Sequence, residues 1–200
     1  MNTTSLRPEF FELHNGSKSP LPFSTGEYDR RLAALRQLMA SKGLRAVLLT
    51  SMHNVAYYSG FLYCSFGRPY ACVVTETECT TISANIDLGQ PWRRSYGDNL
   101  IYTDWQRDNY WRAVSHVLPD VDIVGIEGDH FTLASHRKLK SFHANLKIND
   151  ISSEIMSLRM VKSEEEIDLI KGGAFISDIG GGAIRDAIRS GVREIDVAMA

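Results

Sequence analysis

Apolar residues recur at helical spacing at Tyr28, Leu32, Leu35, Leu38 and Met39, and predict the first long helix. Ser24-Thr-Gly-Glu27 precedes them as a capping-box pattern, in which the Ser24 hydroxyl accepts from the N3 amide and Glu27 reaches back. Gly43 ends the run. The pattern then becomes continuous, and Ala46-Val-Leu-Leu-Thr50 predicts a strand buried on both faces. Helix, glycine, buried strand is the rhythm of an α/β domain. Residues 1–23 carry Asn15-Gly16-Ser17, Pro20 and Pro22, and read instead as an irregular arm draped over something else.

Further along, His53 to Gly60 predicts a short helical turn closed by its glycine, and residues 71–75 and 80–84 predict paired strands around Glu76-Thr-Glu-Cys79. Asn85 to Arg94 is loop-like. There Trp92 stands beside Arg93 and Arg94, which suits either an anion or a half-buried indole flanked by solvated arginines. Leu100-Ile-Tyr102 predicts a strand, and Thr103-Asp-Trp-Gln106 is a second capping-box pattern. It predicts a helix carrying Trp111, Val114, Val117 and Leu118 before Pro119. Strands at 122–127 and 146–150, a helix over 131–143 and a short helix within 151–160 complete this alternation.

Ser163-Glu-Glu-Glu166 is the third capping-box pattern and opens the longest helical run, with three acids at the positive end of the helix dipole. Gly172-Gly173 and Gly180-Gly-Gly182 each cost about 1 kcal/mol relative to Ala and read as positions of close helix packing. A phosphate cradle would need a strand before them, and the pattern has none. Gly191 ends the run, and residues 194–200 begin another helix. A single helical turn is marginal on its own, so the expectation is an incomplete chain with a further domain to follow.

Composition narrows the classes. The 200 residues are 44% hydrophobic and 23% charged, which are globular values sufficient for a sizeable core. With 22 basic against 24 acidic residues and no basic block, nucleic acid is not an expected partner. No apolar run reaches membrane-spanning length, and the N-terminus has no apolar signal core, so no membrane partner and a cytoplasmic location are expected. Cys64, Cys72 and Cys79 match no metal or redox spacing and read as reduced thiols. His130, His136 and His143 lack the i,i+4 spacing that converges two imidazoles on a metal.

The unusual stretch is Phe61-Leu-Tyr-Cys-Ser-Phe-Gly-Arg-Pro-Tyr70, which puts four aromatics and one fixed cation into ten residues. Gly67 and Pro69 flank Arg68 and predict a bend, and Pro69 biases Arg68 toward an extended conformation. A guanidinium presented there between Phe66 and Tyr70 suits a ligand carboxylate gripped by two parallel hydrogen bonds. A surface arginine stacked on an aromatic ring fits the same residues.

This string, together with Ile82-Ser-Ala-Asn-Ile-Asp87, Gln90-Pro-Trp-Arg-Arg94 and residues 102–110, resembles the N-terminal part of the creatinases (creatine amidinohydrolases). They are a branch of the creatinase/aminopeptidase P, or "pita-bread", family, and the resemblance runs from about Phe23 to Ala200. Met160-Val-Lys-Ser-Glu-Glu-Glu-Ile167 resembles the generic family hinge. The resemblance implies an α/β fold: a mixed-sheet N-terminal domain with flanking helices over residues 1–160, then the first helix of a pita-bread catalytic domain over 161–200. It implies a homodimer whose N-terminal domains lean over each other's active sites, and hydrolysis of creatine to sarcosine and urea without metal or organic cofactor. The catalytic histidine and guanidinium-binding glutamates of the family belong to the following domain, so residues 1–200 alone are expected to be inactive. Two positions carry over: Arg68 for the substrate carboxylate and Phe66 for the wall of the partner's pocket. Tyr70, Trp92 and Arg93 are weaker candidates, fixing the loop or the dimer contact. A metal-dependent Xaa-Pro peptidase of the same fold and a non-catalytic binding module are the competing readings.

Overall fold

The alternating pattern folds as a mixed sheet with helices on both faces. The computed structural model describes residues 7–63 and 67–200. In chain order these are β1 (Phe10–Phe11), α1 (Thr25–Ser41), β2 (Ala46–Leu49), α2 (Met52–Ser59), β3 (Ala71–Thr75), β4 (Cys79–Ala84) and β5 (Asp98–Tyr102). Then come α3 (Asn109–Val117), β6 (Ile123–Ile126), α4 (Leu133–Phe142), β7 (Lys147–Asp150), α5 (Ser152–Met160), α6 (Glu164–Ala187) and α7 (Glu194–Ala198). Among the described residues seven strands form one sheet in the order β1-β5-β4-β3-β2-β6-β7. The hairpin pair β3 and β4 is antiparallel, with Ala71 opposite Ile82, and β2 runs antiparallel to β3. The pairs β4–β5, β2–β6 and β6–β7 are parallel. Five strands (β2, β4, β5, β6, β7) therefore end on one edge of the sheet.

Period-two alternation sorts the core. Ala46 and Leu48 face one side, with Val73, Ile82 and Val124 under α3 and α4 residues such as Val114 and Leu139. Val47 and Leu49 face the other, with Cys72 and Val74 under Leu35 and Met39 of α1, Tyr58 of α2 and Ile155 of α5. This explains why β2 reads as a continuous apolar run. Gly60 closes α2 in the left-handed conformation (φ 76°), and a Cβ there would lie 2.8 Å from Tyr28 Oη. The Cys72 and Cys79 sulfurs are 3.4 Å apart as free buried thiols, and the hydrogen bond with Cys79, together with burial, pushes the Cys72 thiol up.

Three expectations change. The arm is not wholly irregular: Phe10 and Phe11 pair with Tyr102 and Ile101. What it drapes over is the 89–105 segment. Asn15 donates to the Gly89 carbonyl, Lys18 to those of Ser95 and Gly97, and Trp105 to that of Pro8. Thr103 opens no helix, because its hydroxyl donates to the Pro8 and Glu9 carbonyls of that arm. The helix starts six residues later, at Asn109. Of the other two capping boxes, Ser163/Glu166 is complete. At Ser24 only half forms: the hydroxyl accepts from the Glu27 amide, while the Glu27 carboxylate accepts from Arg30 and Arg31.

The chain divides into two units, Met1–Leu158 and Arg159–Ala200. In the second, α6 ends at Ala187, before Gly191, which takes φ 83° in the connection to α7. A Cβ on any glycine of the 172–173 and 180–182 groups would meet nothing within 4 Å, so no close packing accounts for them here. The α6 side chains Ile170, Phe175, Ile176 and Ile179 are exposed.

Candidate functional site

The edge where five strands end gathers side chains far apart in sequence. In open α/β sheets this edge is where ligands are commonly bound. Arg68 leaves the chain here, just before β3. Its guanidinium Nη2 lies 3.3 Å from Asp104 Oδ2, and the two side chains are 45% and 37% exposed. Tyr102 donates its hydroxyl to the Pro69 carbonyl at 2.8 Å, which fixes the backbone directly after Arg68. Burial is the first cause raising the Tyr102 phenol far above its ordinary range, so it stays a donor. The two strings 61–70 and 102–110 thus meet at one point through the parallel register of β4 and β5 and the antiparallel register of β3 and β4.

Tyr70 is buried rather than facing a ligand. Its ring packs on Tyr63 at 4.0 Å between centroids and edge-on to Phe61 at 6.1 Å. Phe61 and Tyr63 also line a cleft with Arg68. Phe66 lies outside the described residues. Beside Arg68 opens a cleft of about 650 Å³, also lined by Leu62, Ile86, Asp87, Gln90 and Arg94. Leu62 and Ile86 are exposed apolar side chains on its rim.

Trp92 and Arg93 sit elsewhere. Trp92 stacks on His14 at 4.9 Å with Lys18 Nζ 4.6 Å from its ring centroid, and Arg93 Nε donates to the Ser17 carbonyl. Their contacts are to the N-terminal arm. Trp92 is half-buried and Arg93 and Arg94 are exposed, the arrangement of an indole flanked by solvated arginines.

One buried group on this edge escaped the sequence reading. Glu127, 1% exposed, follows β6, and its two oxygens receive four donors. These are the Thr50 amide at 2.5 Å, the Ser51 amide at 2.9 Å, Asn54 Nδ2 at 2.5 Å and the Ser51 hydroxyl. It thereby locks the end of β2 and the N-terminus of α2 to the end of β6, with the helix dipole favouring the acid. No linear spacing signals this, since Thr50 and Glu127 are 77 residues apart. Among the described residues no three His, Cys, Asp or Glu side chains gather as a metal-ligand set. No described helix is long and apolar enough to cross a membrane.

Comparison with known proteins places this geometry in a family. Creatinase from Bacillus sp. (strain B-0618) is 50% identical over 192 residues, covering 94% of this chain and 47% of that protein. The Xaa-Pro dipeptidase of Lactobacillus helveticus is 26% identical, covering 84% and 47%. The chain spans about half the length of the curated relatives it matches. The same fold occurs in the prolidase of Pyrococcus horikoshii OT3, with a TM-score of 0.69 at 21% identity over 85% of this chain and 46% of that one. The isolated creatinase/prolidase N-terminal domain of a Streptococcus pyogenes X-Pro dipeptidase matches 67% of this chain and 99% of its own, with a TM-score of 0.57 at 15% identity. The family model for the creatinase/prolidase N-terminal domain matches residues 31–161, and the chain belongs to that family.

Proposed function

We propose that this chain is the N-terminal portion of a creatinase, whose complete form hydrolyses creatine to sarcosine and urea as a homodimer. The observation that carries the reading is 50% identity to the Bacillus creatinase over nearly the whole chain, against 26% for the Xaa-Pro dipeptidase. In this reading residues 161–200 begin the catalytic domain, and the general acid–base work is done there by residues beyond this segment. The contribution of this chain is electrostatic and steric. Arg68 offers two parallel N–H donors to the creatine carboxylate, and Phe66 walls the partner's pocket against water. Tyr70 and Tyr102 hold the loop, while Trp92 and Arg93 hold the arm. Neither metal nor organic cofactor is required, and the protein acts in the cytoplasm. Gripping the end of the substrate remote from the reacting guanidinium carbon orients it for attack by water.

A metal-dependent Xaa-Pro peptidase is the second reading, favoured by the fold shared with prolidases. One experiment separates the two. The complete protein, treated with a chelator, is assayed for urea release from creatine and, with added manganese, for cleavage of an Xaa-Pro dipeptide. Urea release that survives the chelator supports the creatinase. Dipeptide cleavage without urea release would replace it with the peptidase, and neither activity would leave a binding module.

A further inference from the structure

Cys72 of β3 and Cys79 of β4 lie on one face of the sheet, in the core layer under α1 and α2. They stand seven positions apart, a spacing without a redox signature, and the hairpin register brings them together. Cys72 is opposite Thr81 and Cys79 opposite Val74, so the two are diagonal neighbours on adjacent strands. Their sulfurs meet at 3.4 Å, both as free thiols. A disulfide bond is about 2.05 Å long, so closure needs ~1.4 Å of movement, next to the turn that joins the two strands.

The two thiols differ in access. Cys72 is wholly buried, whereas Cys79 is 7% exposed and lines an open cleft of about 660 Å³ with Arg36, Glu78 and Tyr96. A small solute entering that cleft reaches Cys79 first. The Cys79 thiol donates to the Tyr58 carbonyl at 3.8 Å, which leaves the Cys72 thiol to donate to the Cys79 sulfur. Cys72 is therefore held in contact with the atom that a solute would modify. An oxidised sulfur with a second thiol already touching it is captured as a disulfide before it climbs to irreversible acids.

We propose that Cys72 and Cys79 form a peroxide-responsive dithiol that closes reversibly to an intramolecular disulfide. The Cys79 sulfur attacks hydrogen peroxide, the O–O bond breaks, and the products are the Cys79 sulfenic acid and water. The Cys72 sulfur then attacks the Cys79 sulfur, and the departing hydroxide takes the Cys72 proton as a second water. Two thiols lose two electrons and one peroxide gains them. A small-molecule thiol reverses the bond by exchange. This goes beyond the creatine reading and does not depend on it.

The test treats the folded chain with one equivalent of hydrogen peroxide, unfolds it, alkylates the remaining thiols with N-ethylmaleimide and measures the intact mass. Of the three cysteines one is expected to remain alkylatable, and all three again after dithiothreitol. Cleavage after Glu76 and Glu78 puts Cys72 and Cys79 on separate peptides, which should be recovered joined. Cys64 lies outside the described residues, and in Cys64→Ser the two remaining thiols should both be lost to alkylation. In Cys72→Ala, excess peroxide should instead carry Cys79 to the sulfinic acid, because the resolving thiol is gone. The unsubstituted chain decides the matter if Cys72→Ala does not fold. A bond to Cys64 or to a second copy, Cys79 oxidised past the sulfenic acid while Cys72 stays alkylatable, or three thiols alkylated throughout would overturn the assignment.

Discussion

Arg68 Nη2 stands 3.3 Å from Asp104 Oδ2, in an ion pair that solvent reaches from both sides. Such exposed pairs are worth about 0–1 kcal/mol, so breaking this one to take up a carboxylate, as proposed for Arg68, would cost little. Under the proposed creatinase reading, Arg68→Ala in the complete protein should raise KM for creatine by about tenfold or more, because a charge-assisted pair is lost. Asp104→Asn should lower KM, by no more than about fivefold, since the arginine then has no acid to leave. Steady-state kinetics of both variants check this, and unchanged KM in the arginine variant would remove the carboxylate role.

Glu127 is expected to be a keystone of stability. Replacing it with Ala leaves four donors without their acceptor, three part-buried and one buried, and should cost about 3 kcal/mol, read as a fall in the urea midpoint at unchanged slope. Glu127→Gln keeps the shape and one accepting oxygen, and should lose less.

Acid sensitivity should be traceable to Glu27. Hydrogen bonds from Arg30, and then from Arg31, hold its carboxyl down at about 2 in the folded chain, against an ordinary 4.5, despite burial. A depressed folded value means the stabilisation is complete above about pH 4.5 and is lost as pH falls toward 2. Unfolding free energies measured between pH 6 and 2.5 should therefore decline, and Glu27→Gln should flatten that decline. A slope identical in the variant would assign it to other carboxyls.

Gly97 approaches the main chain of β4 so closely that a Cβ would fall on the Cys79 carbonyl oxygen. Gly97→Ala should prevent this register, and the thermal midpoint should drop by more than for Gly172→Ala, where a Cβ meets open space.

The elements were legible wherever one periodicity acted alone, as in α1, β2 and the β3–β4 hairpin, and the sheet's mixed character followed from the family resemblance. The misreading at Thr103 has a definite cause. A local capping pattern was outbid by two carbonyls of the arm, supplied from residues almost a hundred positions earlier. The same limit hid Glu127, whose four donors come from the end of β2 and the start of α2. Arg68 was visible because its bend residues are its immediate neighbours. Its partner Asp104 was not, because only the strand register brings them together.

The two residues of β1 have a further consequence. They cover the outer flank of β5, which would otherwise present a free ladder of amides and carbonyls at the sheet margin. The opposite margin, β7, is guarded differently, being four residues long and ending in Lys147 and Asp150. A chain lacking residues 1–12 would lose the packing of Phe10 on the core and also offer β5 to any passing strand, so its failure would include self-association as well as loss of stability.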